Sequence, residues 1–380
     1  MRKFGCFVLL LCMLVGLMLP AAAADLDVAG KSALLMDAAT GTVLYEKNAH
    51  EKLSPASVTK VMTLLLIMEA IDSGKIGWND TVTASETAAA KGGSQIFLKV
   101  GETMSVTDLV KSIAVSSAND AACAMAEHIA GSETAFVSQM NDRAAQLGMA
   151  DTHFVNCTGL DDSADAADHL TCAYDIAIMS RELMVNHPDI TKFTTIWMDT
   201  VRNGTFGLAN TNKLIRFYPG AVGLKTGYTS KAGFCLSACA QRDGMMLIAV
   251  VLGAETSQER FSACKSMLDY GFANFALIDP ETDGGSVPVK LGKAQQVKVI
   301  PSSDTRLLID KQQKNEVTTE ISLEKSVTAP VSQGQKLGTM TIKAGDQVLA
   351  QIPMVAEAAV QRKSWGDIFL DVLRCMVMGG

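Results

Sequence analysis

The chain has 380 residues, of which 48% are hydrophobic and 19% charged, and its formal net charge is -7. This length is comfortable for two domains, and the apolar content excludes an intrinsically disordered chain. The negative charge argues against a nucleic-acid partner, because phosphate binding requires a basic face.

The first 24 residues have the pattern of a cleaved signal peptide. Arg2 and Lys3 precede an apolar run over 4–19, and Pro20 with the following alanines supplies the small residues that signal peptidases need. The alternative is a membrane-spanning helix, but spanning requires about 20 apolar residues and this run has about 16. We therefore predict residues 1–24 as signal peptide and an exported protein with a mature start near Asp25.

The next region predicts a mixture of strands and helices. Residues 32–46 read as two strands around a turn, and the apolar stretch 57–72 reads as a buried helix that starts near Ser57. Further helices are predicted over 105–115, 119–130, 134–147 and 171–186.

A hairpin and one further helix follow. Asp243-Gly244 separates the apolar runs 233–241 and 244–253, and Asp-Gly in this position is a strong hairpin signal. A helix is predicted over about 257–274, with Ser257 as a possible N-terminal cap.

The composition changes near residue 277. Residues 277–358 are rich in Val, Thr, Lys and Gln with short alternating runs, which indicates a small all-β domain. The segment 359–380 predicts an amphipathic helix, because its apolar residues recur at helical spacing: Trp365, Ile368, Phe369, Val372, Leu373, Met376 and Val377. Too short and too charged to span a bilayer, this helix either packs on its own protein or lies in a membrane interface, and we favour the interface.

The cysteines and histidines do not predict a metal site. Seven cysteines remain after the signal peptide, an odd number that cannot all pair within one chain, and they do not cluster with histidines at zinc spacing. We interpret most of them as small buried hydrophobic residues. The five histidines are interpreted as ordinary polar or capping residues, with His169 the first to check.

A Ser-x-x-Lys tetrad, Ser57-Val58-Thr59-Lys60, stands at the start of the predicted helix. Residues i and i+3 of a helix share a face, so Lys60 can reach the Ser57 hydroxyl. A lysine that loses its proton can take the serine proton and create a nucleophile. The tetrad also occurs at Ser262 and at Ser322, so it is a weak signal by itself.

Two further motifs follow Ser57 in a fixed order. Ser117-Ala118-Asn119 is the sole Ser-x-Asn of the chain, and Lys225-Thr226-Gly227 is its sole Lys-Thr-Gly. With Ser-Pro-Ala-Ser-Val-Thr-Lys, Ser-Ser-Ala-Asn-Asp and Lys-Thr-Gly-Tyr, residues 30–275 resemble the low-molecular-mass penicillin-binding proteins, which are serine D-alanyl-D-alanine carboxypeptidases.

The resemblance implies a fold and a domain order. The fold is α+β, with a transpeptidase-like catalytic domain over 25–276 in which an antiparallel sheet carries helices. The small all-β domain and the C-terminal amphipathic helix fit the same family. No cofactor and no metal are implied.

The resemblance also implies catalytic roles. Ser57 would attack the carbonyl between two D-alanines, and Lys60 would be the base in acylation. Ser117 would relay a proton to the leaving amine. The backbone N–H groups of Ser57 and Tyr228 would form the oxyanion hole.

Substrate-binding roles follow on the same grounds. Asn119 would hold the substrate backbone, while Lys225, Thr226 and Gly227 of the Lys-Thr-Gly motif would contact the terminal carboxylate or line its site. Arg260 matches a carboxylate-binding arginine; the alternative is a solvated helix residue. The segment Gly92-Gly93-Ser94 resembles a loop over the active site, or is a plain surface turn.

The expected partners are peptidoglycan stem peptides ending in D-Ala-D-Ala, β-lactams as covalent inhibitors, and the outer face of the cytoplasmic membrane. A class A β-lactamase shares the three motifs but needs a Glu-x-x-Leu-Asn stretch, which the residues after Glu182 do not form. An endopeptidase of the same family stays open. A wall-binding module with a dead site would not require an intact Ser57 and Lys60.

Overall fold

The computed structural model describes residues 26–162 and 164–378. The predicted signal peptide and the mature start at Asp25 lie outside the described residues. The helices are α1 (Lys60–Asp72), α2 (Glu86–Ala89), α3 (Val106–Ser116), α4 (Asn119–Ala130), α5 (Glu133–Gln146), α6 (Ala173–Asn186), α7 (Thr191–Thr194), α8 (Leu214–Phe217), α9 (Ser257–Asn274) and α10 (Trp365–Met378).

The strands divide into an N-terminal and a C-terminal set. The first set is β1 (Ser32–Asp37), β2 (Val43–Lys47), β3 (Thr81–Thr83), β4 (Thr103–Ser105), β5 (Met198–Val201), β6 (Phe206–Ala209), β7 (Ala221–Thr229), β8 (Gly233–Arg242) and β9 (Met245–Ala254). The second set is β10 (Phe275–Ile278), β11 (Ser286–Lys290), β12 (Gln296–Pro301), β13 (Leu307–Asp310), β14 (Val317–Leu323), β15 (Val327–Thr328), β16 (Lys336–Ala344) and β17 (Gln347–Ala356).

A five-stranded antiparallel sheet with the order β2-β1-β9-β8-β7 forms the centre of the N-terminal part of the chain. Asp243 and Gly244 turn the chain between β8 and β9 with φ values of +50° and +81°. Positive φ at both central residues suits the turn to the twist of the two strands, and this explains the Asp-Gly pair. The predicted hairpin is confirmed.

The two faces of this sheet support separate cores. Neighbouring residues of β9 point to opposite faces, so Val250 lies in the core with α1 and α3–α6, whereas Val251 lies in the core with α9. Every residue of α1 from Lys60 to Met68 is buried, as the apolar run predicts. The start of this helix therefore lies between the sheet and the helical layer, where Lys60 is shielded from water.

The helix ends follow local capping chemistry. Gly131 and Gly148, just past α4 and α5, have φ values of +82° and +74°, which a residue without a Cβ adopts at little cost. The cap of α9 differs from the prediction. Thr256, not Ser257, is the cap, and it forms a capping box with Glu259.

The C-terminal part is a β domain, as predicted. Its six-stranded sheet has the order β14-β16-β17-β12-β11-β15, and only the pair β11–β15 is parallel. The predicted boundary at residue 276 falls within β10, which pairs with β13. The segment after β17 is also part of this domain, because Val360 is buried in its core and exchanges backbone hydrogen bonds with Val331.

The helix α10 ends the described chain and is amphipathic, as predicted. Several of its large apolar side chains face solvent: Trp365, Phe369, Leu370, Val372 and Met376. The side chains of Leu373 and Val377 lie outside the described part. Among the helices that the structure describes, none combines the length and the apolar character needed to cross a bilayer.

Candidate active site

Ser57 lies in a short 3-10 turn, Ala56–Thr59, that leads directly into α1. Ala56 has φ +48°, in the left-handed region that residues with a Cβ seldom adopt. The side chain of Lys60 is fully buried, and its Nζ lies 3.0 Å from Ser57 Oγ. The structure thus brings together the serine and the lysine that the tetrad pairs in the sequence.

The environment of Lys60 favours a neutral amine. Burial lowers the pKa of Lys60 from 10.5 to about 7, although the nearby Cys157 and Asp120 oppose the shift. Its Nζ donates to the Thr158 carbonyl oxygen at 2.8 Å. Because one N–H is held by this carbonyl, a neutral Lys60 can direct its lone pair at the Ser57 hydroxyl.

Ser117 and Asn119 lie where α3 passes into α4. Ser117 caps α3 with φ +62°, and both side chains are almost completely buried. Asn119 Nδ2 donates to the Gly92 carbonyl oxygen at 2.7 Å, which orients the amide. Its Oδ1 is buried and finds no hydrogen-bond donor within the described part of the chain. The amide therefore has a free acceptor.

The loop over 92–98 is tied to the same helix start. The Asp120 carboxylate accepts from the backbone N–H groups of Ile96 and Leu98, at 3.1 and 2.9 Å for the shorter contacts. A Cβ at Gly93 would lie 2.8 Å from Asn119 Nδ2, so the loop packs directly on this amide. The resemblance of Gly92-Gly93-Ser94 to a loop over the site agrees with this position. Sequence reasoning assigned no role to Asp120.

The Lys-Thr-Gly motif lies on β7, which is the edge strand next to β8 in the five-stranded sheet. Lys225 is buried, and burial together with the charges of Lys60 and Arg260 lowers its pKa well below the usual range. The Thr226 hydroxyl donates to Thr211 Oγ1 at 2.7 Å, and the Thr211 backbone N–H donates into the end of α3. These bonds connect the edge strand to the helix that ends at Ser117.

Gly227 and Tyr228 border the Ala56–Thr59 turn that carries Ser57, which we call the nucleophile turn. A Cβ added to Gly227 would lie 2.6 Å from the Pro55 carbonyl oxygen and 3.0 Å from the Ser57 backbone nitrogen, so only glycine fits here. Tyr228 is 56% exposed, and its ring packs on Phe234 with centroids 4.3 Å apart. The Lys-Thr-Gly motif therefore lies directly against the turn that carries Ser57.

Arg260 reaches this region from α9. The arginine is 8% exposed, and its Nη1 donates to the carbonyl oxygens of Gly227 at 2.8 Å and Cys235 at 3.2 Å. It is therefore not the solvated helix residue that the sequence left open. Its guanidinium holds the backbone of the edge strand and adds positive charge beside Lys225.

Groups that could hold a metal lie elsewhere. Among the described residues, two clusters offer three ligand atoms each: His50 with Asp151 and Cys172, and Glu69 with Glu182 and His187. Neither cluster contains a residue of the Ser57 site. Arg143 pairs with both glutamates of the second cluster at 2.7 Å, which offsets part of their negative charge. The six cysteines whose side chains the structure describes are buried and form no disulfide, as predicted for small hydrophobic residues.

Comparison with known sequences identifies the family of the chain. Residues 19–256 match the D-alanyl-D-alanine carboxypeptidase family, and residues 272–362 match the C-terminal domain of penicillin-binding protein 5. D-alanyl-D-alanine carboxypeptidase DacF of Bacillus subtilis is 45% identical over 87% of this chain and 86% of its own. The Escherichia coli carboxypeptidase DacC is 34% identical over 86% of this chain and 83% of its own.

Comparison with solved structures gives the same result. Penicillin-binding protein 5 of Haemophilus influenzae superposes with a TM-score of 0.76 at 31% identity, covering 90% of this chain and 100% of its own. Penicillin-binding protein D2 of Listeria monocytogenes, solved in an ampicillin-bound form, has a TM-score of 0.60 at 31% identity and covers 66% of this chain and 100% of its own. The α+β fold predicted from the sequence is confirmed, and the C-terminal part has the fold of the C-terminal domain of penicillin-binding protein 5. The chain is an enzyme that belongs to the D-alanyl-D-alanine carboxypeptidase family.

Proposed function

We propose that this carboxypeptidase removes the terminal D-alanine from peptidoglycan stem peptides through an acyl-enzyme on Ser57. The observation that carries the proposal is the pairing of Ser57 Oγ with Lys60 Nζ at 3.0 Å, with the lysine fully buried and its pKa lowered to about 7. A neutral lysine at this distance supplies the base that a serine nucleophile requires.

The acylation step follows from this pair. Lys60 takes the hydroxyl proton as Ser57 Oγ attacks the carbonyl carbon between the two D-alanines. The oxygen of that carbonyl becomes an oxyanion, which the backbone N–H groups of Ser57 and Tyr228 stabilise. The leaving D-alanine amine receives a proton through Ser117, and water then hydrolyses the ester on Ser57.

Substrate binding uses the residues around this turn. The free acceptor of Asn119 Oδ1 matches a backbone N–H of the peptide. The negative charge of the substrate's terminal carboxylate would favour the protonated form of Lys225, which then supplies positive charge, and Thr226 with Gly227 borders this carboxylate. Arg260 acts by charge and by holding the Gly227 carbonyl.

We further propose covalent binding of penicillin at Ser57. The ampicillin-bound structure of the Listeria relative supports this proposal. The alternative class A β-lactamase needs a deacylating glutamate, and the sequence offers no Glu-x-x-Leu-Asn stretch; Glu182 instead pairs with Arg143 at 2.7 Å. The penicilloyl adduct should therefore outlive the peptide acyl-enzyme.

The decisive experiment uses the purified protein with two substrates. D-alanine release from a diacyl-tripeptide that ends in D-Ala-D-Ala is expected, together with a penicilloyl mass adduct on Ser57. Release from a cross-linked dimeric peptide instead of the tripeptide would favour the endopeptidase. Rapid turnover of penicillin would favour the β-lactamase. The absence of both D-alanine release and a penicilloyl adduct would contradict the proposal.

Location and domain roles complete the proposal. We propose export by the signal peptide of residues 1–24, a catalytic domain over 25–276, a β domain over 277–358 and peripheral membrane attachment through 359–380. Supporting this attachment, Trp365 is 88% exposed and Phe369 63% exposed on an amphipathic terminal helix. The β domain would hold the catalytic domain away from the bilayer surface.

A further inference from the structure

His169 is buried beside the nucleophile turn, far from it in sequence. The residue is 2% exposed, and the imidazole packs edge-on against Phe154. Its Nε2 lies 2.8 Å from Thr59 Oγ1, across a separation of 110 residues. Its Nδ1 lies 3.1 Å from the backbone nitrogen of Val155.

These contacts fix the donor and the acceptor of each hydrogen bond in a short chain from Val155 through His169 and Thr59 to Ala56, which we call the relay. A backbone N–H can only donate, so His169 Nδ1 is the acceptor for Val155 and the imidazole proton is on Nε2. Nε2–H then donates to Thr59 Oγ1. The Thr59 hydroxyl in turn donates to the Ala56 carbonyl oxygen at 2.8 Å. Each group in the relay has a partner, and no second arrangement of a neutral ring satisfies Val155.

The end of the relay lies next to the nucleophile. The Ala56 carbonyl and the Ser57 N–H belong to one planar peptide unit, so the direction of the carbonyl sets the direction of the N–H. Ala56 has φ +48°, which the backbone does not favour unaided. Gly159 packs on the same carbonyl so closely that a Cβ would lie 1.8 Å from its oxygen.

We propose that His169 is a positioning residue that acts through Thr59 to hold the Ala56–Ser57 peptide with its N–H directed at the developing oxyanion. This inference rests on the proposed acyl-enzyme mechanism, because it assigns a purpose to the Ser57 N–H. It places no proton transfer on the imidazole.

The neutral state of the ring agrees with this role. Burial lowers the pKa of His169 from 6.5 to about 4, so the ring is uncharged at neutral pH. The ionisable groups that act on it are His153, Asp165, Lys231 and Lys60. Of these only Asp165 favours protonation, and burial outweighs it.

The test compares variants that break the relay with variants that keep it. Thr59→Val removes the hydroxyl at almost unchanged volume, whereas Thr59→Ser keeps it. His169→Ala removes the ring, whereas His169→Gln retains one acceptor and one donor. His128→Ala, an exposed histidine on α4, is the control for a histidine substitution without the relay. Penicillin acylation rates, kcat and KM for the diacyl-tripeptide, and thermal stability are measured for each.

A positioning role predicts a specific kinetic pattern. Thr59→Val and His169→Ala should lower the acylation rate and kcat by about tenfold or more, with KM changed by less than about twofold. Thr59→Ser and His169→Gln should stay within about threefold of the wild type. The double variant His169→Ala with Thr59→Val should lose no more acylation activity than the more impaired of the two single variants, because both substitutions break the same relay.

The contrary results are equally distinct. A folded Thr59→Val enzyme with wild-type acylation, a rise in KM at constant kcat, or multiplied losses in the double variant would each overturn the role of His169. A wild type that neither releases D-alanine nor reacts with penicillin would overturn the proposed function itself. If the wild type is active and the Thr59→Val and His169→Ala variants keep its acylation rate and kcat, this inference alone is overturned.

Discussion

Gly227 faces the backbone nitrogen of Ser57 across a gap that has no room for a side chain. A Cβ built on Gly227 would stand 3.0 Å from that nitrogen and 2.6 Å from the carbonyl oxygen of Pro55. Both neighbours are backbone atoms, so neither can move aside as the tip of a side chain does. The glycine of the Lys-Thr-Gly motif therefore lets the edge strand approach the nucleophile turn closely enough for both to border one oxyanion.

Gly227→Ala should separate the edge strand from the nucleophile turn. We expect a loss of penicillin acylation of about 100-fold, because misplacement of a reacting group by about 1 Å has effects of that size. The added methyl group should also cost about 1–3 kcal/mol in the free energy of unfolding. Acylation kinetics and chemical denaturation check both values.

Gly207→Ala in β6 is the matched control for this change. A Cβ there meets no atom within 4 Å, so the variant should acylate at the wild-type rate. Equal behaviour of the two glycine variants would show that the close approach at Gly227 does not matter for the reaction.

Ser57→Ala should abolish both penicillin labelling and D-alanine release while the protein stays folded. The reason is that Lys60 is buried with its Nζ 3.0 Å from Ser57 Oγ, whereas the lysines of the other two tetrads, Lys265 and Lys325, are exposed. Intact-protein mass spectrometry and far-UV circular dichroism check this expectation. Ser262→Ala and Ser322→Ala are the controls and should label fully; an adduct that persists in Ser57→Ala would contradict the assignment.

The acylation rate should rise with pH through about 7. Burial lowers the pKa of Lys60 to about 7, and only the neutral amine accepts the Ser57 proton. Below pH 7 the rate should therefore fall about tenfold for each pH unit, and above pH 8 it should be flat. Penicillin acylation measured from pH 5 to 9 tests the profile. A limb near pH 10, the ordinary range for lysine, would show that Lys60 stays charged.

Features that depend on neighbouring residues could be predicted from the sequence. The contact between Ser57 and Lys60 follows from i, i+3 spacing on a helix, and the β8–β9 turn follows from the Asp-Gly pair. The cap of α9 shows that neighbouring residues predict a helix start only to within one residue. Thr256 and Ser257 are adjacent and chemically equivalent as caps, so only the observed backbone, extended at Thr256, distinguishes them.

Features that depend on tertiary contacts could not be predicted. His169 and Thr59 are 110 residues apart, and no local pattern indicates that a loop histidine turns inward to meet the nucleophile turn. Asp120 follows the Ser-x-Asn motif in the first turn of α4, where acidic residues are common, so its position in the sequence indicates no special role. Its binding of the 96–98 backbone becomes visible only when the loop is in place.

The buried His169 should make stability fall at mildly acidic pH. Its pKa is about 4 in the folded protein and 6.5 ordinarily, so between these values the unfolded state binds more protons. Stability from this group is therefore full above about pH 6.5 and is lost as pH falls towards 4. Thermal unfolding of His169→Gln should show a shallower decline over pH 6.5 to 4 than the wild type. Parallel curves over that range would contradict a buried neutral imidazole.

The structure decides where a C-terminal truncation must begin. Val360 is buried in the β-domain core, and the Lys363 backbone N–H donates to the Leu291 carbonyl oxygen at 2.8 Å. A deletion from residue 360 would therefore damage the β domain. Removing residues 365–380 takes away α10 and leaves these contacts intact.

Deletion of residues 365–380 should release the mature enzyme from lipid vesicles without altering catalysis. Trp365, Phe369 and Leu370 are more than half exposed, and each gains about 1.5–3 kcal/mol when its surface leaves water for an interface. Phe369→Asp, which keeps the helix but opposes insertion, should weaken binding in the same direction. Co-sedimentation with anionic vesicles and kcat/KM on the tripeptide are the measurements. If the undeleted mature chain stays in the supernatant, or if the truncated enzyme loses activity and thermal stability, then α10 is a packing element rather than a membrane anchor.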